Sequence, residues 1–272
     1  MIASLILAVE LVIPLETGGG NNLPMVKGSV DGAPCTLIFD TGATHTSLDL
    51  EFVREKLPNA KLMDVELMGT SNVQIAPKVM RTELLTIGEM GYRGFPLMAI
   101  PLNGLSDRVG RRVDGILGMD IIRRMPMIIS LKDGKITINP ESIEGFGPQL
   151  KFDYEDFDGS PKIDYRAPDG TMQQMLIDSG STFTILRREE DWAKGGEEFG
   201  IGAASVNGRE RLTMRDGGEG ELTLVAAFEE DMKIKIRPMI NPSHPCAYLG
   251  ADTLQRYDLY LKFPEIRLKA KE

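Results

Sequence analysis

Residues 37–48 read LIFDTGATHTSL, and residues 175–186 read MLIDSGSTFTIL. Each phrase is an apolar run ending in a carboxylate, Asp40 or Asp178, followed by a hydroxyl residue, a glycine, a small residue and Thr-x-Thr. One Asp-Thr/Ser-Gly triplet carries little weight, because composition alone predicts roughly 0.2 of them in a chain of this make-up. A second copy in the same setting changes that. If the two segments fold alike and pack about a twofold axis, equivalent points near the axis meet, and Asp40 and Asp178 fall in one site. Two carboxylates in contact cannot both ionise, so they share a proton. The ionised member then serves as a base toward water while the protonated member donates to a carbonyl oxygen. This is general acid–base hydrolysis, and it calls for no metal, no cofactor and no covalent intermediate.

The repeat extends beyond the two phrases. Asp31-Gly32 stands nine residues before Asp40, and Asp169-Gly170 stands nine before Asp178, a common offset of 138. Further on, GILGMDIIRRMPMIISL (115–131) aligns with AYLGADTLQRYDLYLKF (247–263) at an offset of 132, matching Gly118 to Gly250 and Asp120 to Asp252. Anchors at both ends of both halves, in the same order, identify an internal duplication with a net loss of six residues in the second half. The break is expected near EGFGPQL (144–150), giving an N-terminal lobe over 1–145 with Asp40 and a C-terminal lobe over 146–272 with Asp178.

The elements that must position these residues are strands. Runs such as MVKGSV, PCTLIF, RTELLTIG, FPLMAIPL, PMIISL, GKITI, KIKIRPMI, LYLKF and EIRL alternate with turn signals such as VDGAP, KDGKI and APDGT. Helical pattern is confined to 50–57, 120–125 and 252–257. The segments 68–79 and 204–212 occupy similar places in the two halves and read as hairpins. The expected class is all-β with a few short helices.

Composition narrows the function classes. A formal charge of −9 leaves no basic surface to neutralise phosphates, which argues against nucleic acid. RVGRR (108–112) reads as a solvated loop, and the Gly-rich stretches 17–22 and 216–221 as plain loops without the context of a phosphate cradle. Two cysteines, Cys35 and Cys246, and two histidines, His45 and His244, make neither a disulfide framework nor a zinc site. Free thiols in a strand-rich core are the expectation, and a Cys35/His45 nucleophile pair is the minor alternative. The apolar MIASLILAV at the start reads either as a signal-peptide core or as a first strand, and it is too short to span a bilayer.

DTGAT with GILGMD, and DSGST with AYLGAD, resemble the two signature pairs of the aspartic peptidases. Each half resembles a retropepsin-like subunit, with DTGATHTSL especially similar to the bacterial members, and their union in one chain resembles the pepsin architecture. The resemblance implies a two-lobed acid-protease fold with a pseudo-twofold axis, and an aspartic endopeptidase with Asp40 and Asp178 as the catalytic pair. It implies that Thr41 and Ser179 hydrogen-bond across the axis, and that Gly42 and Gly180 let backbone approach the carboxylates. Ile116-Leu117-Gly118 and Tyr248-Leu249-Gly250 would support the turns from behind. An extended peptide or protein would lie in the cleft between lobes, held partly by main-chain hydrogen bonds, and a monomer would suffice.

The sequence departs from that family at several points. Neither candidate hairpin carries the tyrosine of a pepsin-like flap. Asp40 stands too near the start for a basic prosegment, which implies a chain made active or a mature form. Ala43 follows the first catalytic glycine and Ser181 the second, so Ser181 is expected to bond a carboxylate and favour its ionised form. Two alternatives stand beside the endopeptidase: a catalytically weak peptide-binding module on the same fold, and a processing protease for one dedicated substrate. A periplasmic or secreted setting is favoured over a cytoplasmic one.

Overall fold

A computed structural model describes residues 9–17, 23–64, 77–153, 159–187, 196, 198–205 and 208–271. The start of the chain, residues 68–76 of the first candidate hairpin and residues 18–22 of the first Gly-rich stretch lie outside the described residues.

Strands form where β-branched and aromatic residues alternate, and the turns between them fall where glycine or aspartate permits positive φ. Asp31 and Gly32, with φ of 50° and 84°, close the two-residue hairpin between Pro24–Val30 and Ala33–Phe39. The first sheet then runs, in spatial order, Met63–Asp64, Lys78–Arg81, Pro96–Ile100, Ser47–Asp49, Gly115–Leu117, Ala33–Phe39, Pro24–Val30, Leu84–Ile87 and Met90–Arg93. The second runs Glu198–Ser205, Gly208–Asp216, Met239–Ile240, Ile185–Leu186, Ala247–Leu249, Met172–Ile177, Lys162–Arg166, Gly220–Leu224 and Met232–Ile236. Position by position, the two orders are the same. In both, the strand ending at the aspartate pairs in parallel with a strand from the later anchor: Ile38 with Ile116, and Leu176 with Tyr248. The fold is all-β.

A third, five-stranded sheet joins the halves in the order Leu11–Pro14, Lys135–Ile138, Met127–Ser130, Tyr257–Lys262 and Glu265–Ala270. At its centre Ile128 lies opposite Tyr260, Met127 opposite Leu261, and Ile129 opposite Leu259. Ile128 and Tyr260 are equivalent under the 132-residue offset, so the pseudo-twofold axis passes through that pair. One continuous apolar core, including Phe39, Phe52, Ile129, Tyr165 and Leu261, runs through all three sheets.

The helices differ in part from the pattern reading. Leu50–Lys56 is helical, but the later two are single turns, Met119–Ile122 and Ala251–Leu254, because the chain must straighten into the central sheet. A further helix, Asn103–Val109, was not expected from a stretch holding Gly104, Ser106 and Asp107, which are poor helix formers. Its apolar residues Leu102, Leu105 and Val109 nonetheless recur at helical spacing, and Gly110 ends it at φ 73°. Leu105 and Val109 pack with Met25, Ile38 and Ile116 in a small separate core, covering one face of the first sheet. The basic residues just beyond are paired, Arg111 with Glu16 and Arg112 with Glu55 and Asp114.

The second half has no counterpart to this helix among the described residues. Met98 pairs with Ser47 and Met239 with Ile185, an offset of 141 that falls to 132 at Gly115 and Ala247. The nine residues lost there are those that carry the helix in the first half.

Candidate active site

Asp40 and Asp178 each follow the last residue of a buried strand, Phe39 and Ile177. Their backbone N–H groups donate to Leu117 O and Leu249 O, both at 3.0 Å, which continues the parallel ladder one residue past each strand. Each turn then folds back on its own carboxylate. Gly42 N and Ala43 N donate to Asp40 Oδ1 at 2.8 and 3.1 Å, and Gly180 N and Ser181 N donate to Asp178 Oδ1, both at 2.9 Å.

The two turns interlock across the axis. Thr41 Oγ1 donates to Ile177 O and Ser179 Oγ to Phe39 O, both at 2.7 Å. In return, Ser179 N donates to Thr41 Oγ1 at 2.9 Å and Thr41 N to Ser179 Oγ at 3.1 Å. Both hydroxyls are buried, so each bond satisfies a group that water does not reach. The glycines set the spacing: a Cβ on Gly42 would lie 2.5 Å from Asp178 Cγ, and one on Gly180 would overlap the carboxyl of Asp40.

Asp40 and Asp178 thus face each other across the axis, each carboxyl seated against the glycine of the opposite turn. Burial pushes Asp178 well above the ordinary carboxylate range, and the neighbouring Asp40 charge pushes it further. Asp40 is also raised by burial, opposed by its bonds from Gly42, Asp178, Ala43 and Gly180. With both members raised, the pair keeps a proton to higher pH than an isolated carboxyl does, and it titrates as a unit.

Behind each turn sits a clamp whose function the motif reading missed. Thr46 Oγ1 donates to Asp120 Oδ1 at 2.6 Å and accepts from Gly118 N at 3.0 Å. Thr184 Oγ1 donates to Asp252 Oδ1 at 2.8 Å and accepts from Gly250 N at 3.1 Å. A Cβ on Gly118 would lie 2.6 Å from the His45 carbonyl carbon, and one on Gly250 would overlap Phe183 backbone. The recurrence of Thr-x-Thr and Gly-x-Asp in both halves was the available signal. Ser160, whose hydroxyl donates to Gly42 O at 2.9 Å from the opposite half, has no such repeat to reveal it.

Ser181 corrects one expectation. Its hydroxyl donates to Phe183 O at 2.8 Å, and only its backbone N–H reaches Asp178. Ala43 makes the same backbone bond to Asp40, so the hydroxyl creates no asymmetry at the carboxylates. The Cys35/His45 pair does not form either: burial, then the nearby Asp114, pushes the Cys35 thiol up to about 12, while His45 is exposed and bonded to Thr44. Both cysteines are free. Among the described residues no three His, Cys, Asp or Glu side chains gather as a metal-binding group, and no helix is long and apolar enough to cross a membrane.

Residues 26–121 match the model of a family described as Aspartyl protease. The matched span contains Asp40-Thr41-Gly42 and Ile116-Leu117-Gly118 and ends within the first half, and it supports aspartic protease activity in general terms. No curated protein matches the chain. With that match in hand, the paired sheets read as the all-β, two-lobed fold of aspartic proteases.

Proposed function

We propose that the chain is an aspartic endopeptidase, pepsin-like in architecture and built from two retropepsin-like halves, with Asp40 and Asp178 as its catalytic pair. The observation that carries this reading is the meeting of the two carboxyls across the axis, each fixed by backbone donors from its own turn. The ionised carboxylate takes a proton from water as its oxygen attacks the scissile carbonyl carbon. The protonated carboxyl gives its proton to the carbonyl oxygen, forming a neutral tetrahedral diol. In collapse the carboxyl that took the proton of water gives it to the amide nitrogen, the other carboxylate takes a proton from a diol hydroxyl, and the C–N bond breaks, which restores the singly protonated pair.

Thr41 and Ser179 act in this reading by holding the turns in register, Gly42 and Gly180 by admitting the opposite carboxyl, and Gly118 and Gly250 by seating the turns. Ser181 contributes its backbone N–H alone. The substrate is an extended peptide in the cleft between an N-terminal lobe over 1–145 and a C-terminal lobe over 146–272. One chain supplies both carboxylates, so a monomer suffices.

The test is cleavage of a denatured protein between about pH 3 and 7 by wild type and Asp178→Asn in parallel. Activity confined to the wild type supports the shared pair. Cleavage by neither protein would favour a peptide-binding module, and equal cleavage by both would remove Asp178 from the mechanism.

A further inference from the structure

The shared proton must rest on one carboxyl or the other, and the Ser181 hydroxyl does not decide which. The two turns differ instead in what reaches the carbonyl of the glycine beside each carboxyl. Ser160 donates its hydroxyl to Gly42 O at 2.9 Å. That oxygen belongs to the Gly42–Ala43 peptide group, whose N–H, on Ala43, donates to Asp40 Oδ1 at 3.1 Å. One peptide plane thus carries a hydrogen-bond chain from the second half into the carboxyl of the first. In the other turn the Gly180–Ser181 peptide gives its N–H to Asp178 Oδ1 at 2.9 Å, and no described residue donates to Gly180 O. Register explains the difference. Val26 pairs with Leu37 and Ile163 with Met175, which aligns Ser160-Pro161 with Leu23-Pro24. Leu23 is apolar and packs in the small core with Met25 and Ile38, so the first half has no hydroxyl at this place.

Ser160 is firmly held. It is buried, and the next residue, Pro161, accepts from Ile177 N at 2.9 Å. The strand that ends at Asp178 therefore fixes the donor that serves the Asp40 turn. A donor on the oxygen of a peptide group polarises its N–H, and each link in such a chain strengthens the next by roughly 10–30%. A stronger N–H on Asp40 Oδ1 favours the ionised carboxylate. Of the titratable groups nearby, Asp178 faces Asp40 directly, and Tyr248 feels its charge from the strand Ala247–Leu249. Burial raises both Tyr248 and Cys246, so these two stay neutral where the pair titrates. Burial and the Asp40 charge hold Asp178 well above the carboxylate range, the direction expected of the member that keeps the proton.

Resting on the peptidase reading, we propose that Ser160 is a positioning residue that makes Asp40 the carboxylate that takes the proton of water, leaving Asp178 to donate to the scissile carbonyl oxygen. Ser160 acts through the Gly42–Ala43 peptide and not on the substrate. It gives a fixed polarity to a pair whose two turns are otherwise alike.

The experiment follows kcat/KM against pH for wild type, Ser160→Ala and Ser160→Thr on one peptide that the wild type cuts. Without the hydroxyl, ionised Asp40 is less favoured and the pair loses its first proton at higher pH. The acidic limb of Ser160→Ala should move up by on the order of 0.3 pH unit. The alkaline limb, which reports the proton that Asp178 keeps, should stay, because Asp40 is ionised both before and after that step. Ser160→Thr retains a hydroxyl and should return the acidic limb to its wild-type place. Should Ser160→Ala not fold, Ser160→Cys, with its weaker S–H donor, is read instead. An acidic limb that stays or moves down, an alkaline limb that moves with it, or a shift that Ser160→Thr shares overturns the proposal and leaves the peptidase intact. If the wild type cuts nothing, the peptidase reading fails, and the carboxyl itself decides the link. Carbon-13 NMR then titrates Asp40 in Asp178→Asn, where it ionises alone, with and without Ser160→Ala, and assigns it by its loss in Asp40→Asn. A midpoint raised in Ser160→Ala by a similar amount sustains the chain from Ser160 to Asp40, and an unchanged or lowered midpoint overturns it.

Discussion

At the residue scale, the carboxylate pair trades stability for a shared proton. Asp178 in the folded chain holds its proton above the ordinary range, chiefly through burial and then through Asp40. An unfolded aspartate ionises near pH 3.9. Below that value folded and unfolded chains are both protonated and the group costs nothing. As pH rises beyond it, the unfolded chain releases the proton first, so stability is lost progressively until the folded pair also ionises. Asp178→Asn removes this penalty while keeping the shape. The melting temperature of the variant should therefore exceed that of wild type by a margin that widens above about pH 4 and levels off once the folded pair has ionised. Calorimetric scans from pH 4 to about pH 8 measure it, and a margin independent of pH would contradict the raised pair.

At the element scale, the clamps behind the turns decide whether the carboxyls meet. Thr184 is buried and joins Asp252, Gly250 N and Thr253 in one network, and Asp252 is itself raised by burial against the bonds Thr184 gives it. Thr184→Val leaves those groups without their partner, at a cost of about 1–3 kcal/mol, and should lower both denaturation midpoint and cleavage rate. Thr184→Ser, which keeps the hydroxyl, should restore most of each. Equal behaviour of the two variants would mean that packing, and not the bond, matters there. The clamp also marks what was legible beforehand. Asp40, Asp178 and the strands leading to them stand out because a short apolar run ending in Asp-Thr/Ser-Gly occurs twice. Thr46, Thr184, Asp120 and Asp252 lay within the same repeats, yet only three-dimensional contact shows which atom each one serves. The Asn103–Val109 helix was hidden because its propensities are weak and its stability comes largely from Met25 and Ile38, which are distant in sequence. The rotamer of Ser181 was illegible for a similar reason: a hydroxyl beside a carboxylate can turn to either of two acceptors, and here a local carbonyl takes it.

At the scale of the whole molecule, the halves share a core and a central sheet, so they are expected to unfold together. Leu261, fully buried, belongs to a second-half strand that pairs with Met127–Ser130 of the first. Leu261→Ala should cost about 2–5 kcal/mol, and circular dichroism and cleavage activity should be lost in a single transition under denaturant. Two separated transitions would show that the halves are independent folding units.

The pairing of Ile128 with Tyr260 has a further meaning. A strand that faces its own counterpart at its midpoint is one that a half-length chain would present to an identical copy of itself, as in an isologous dimer. In such a dimer every substitution strikes both sides of the cleft at once. Covalent union of the halves lifts that symmetry constraint, so that one side holds Met25 beneath a helix while the other carries Lys162 at the equivalent place.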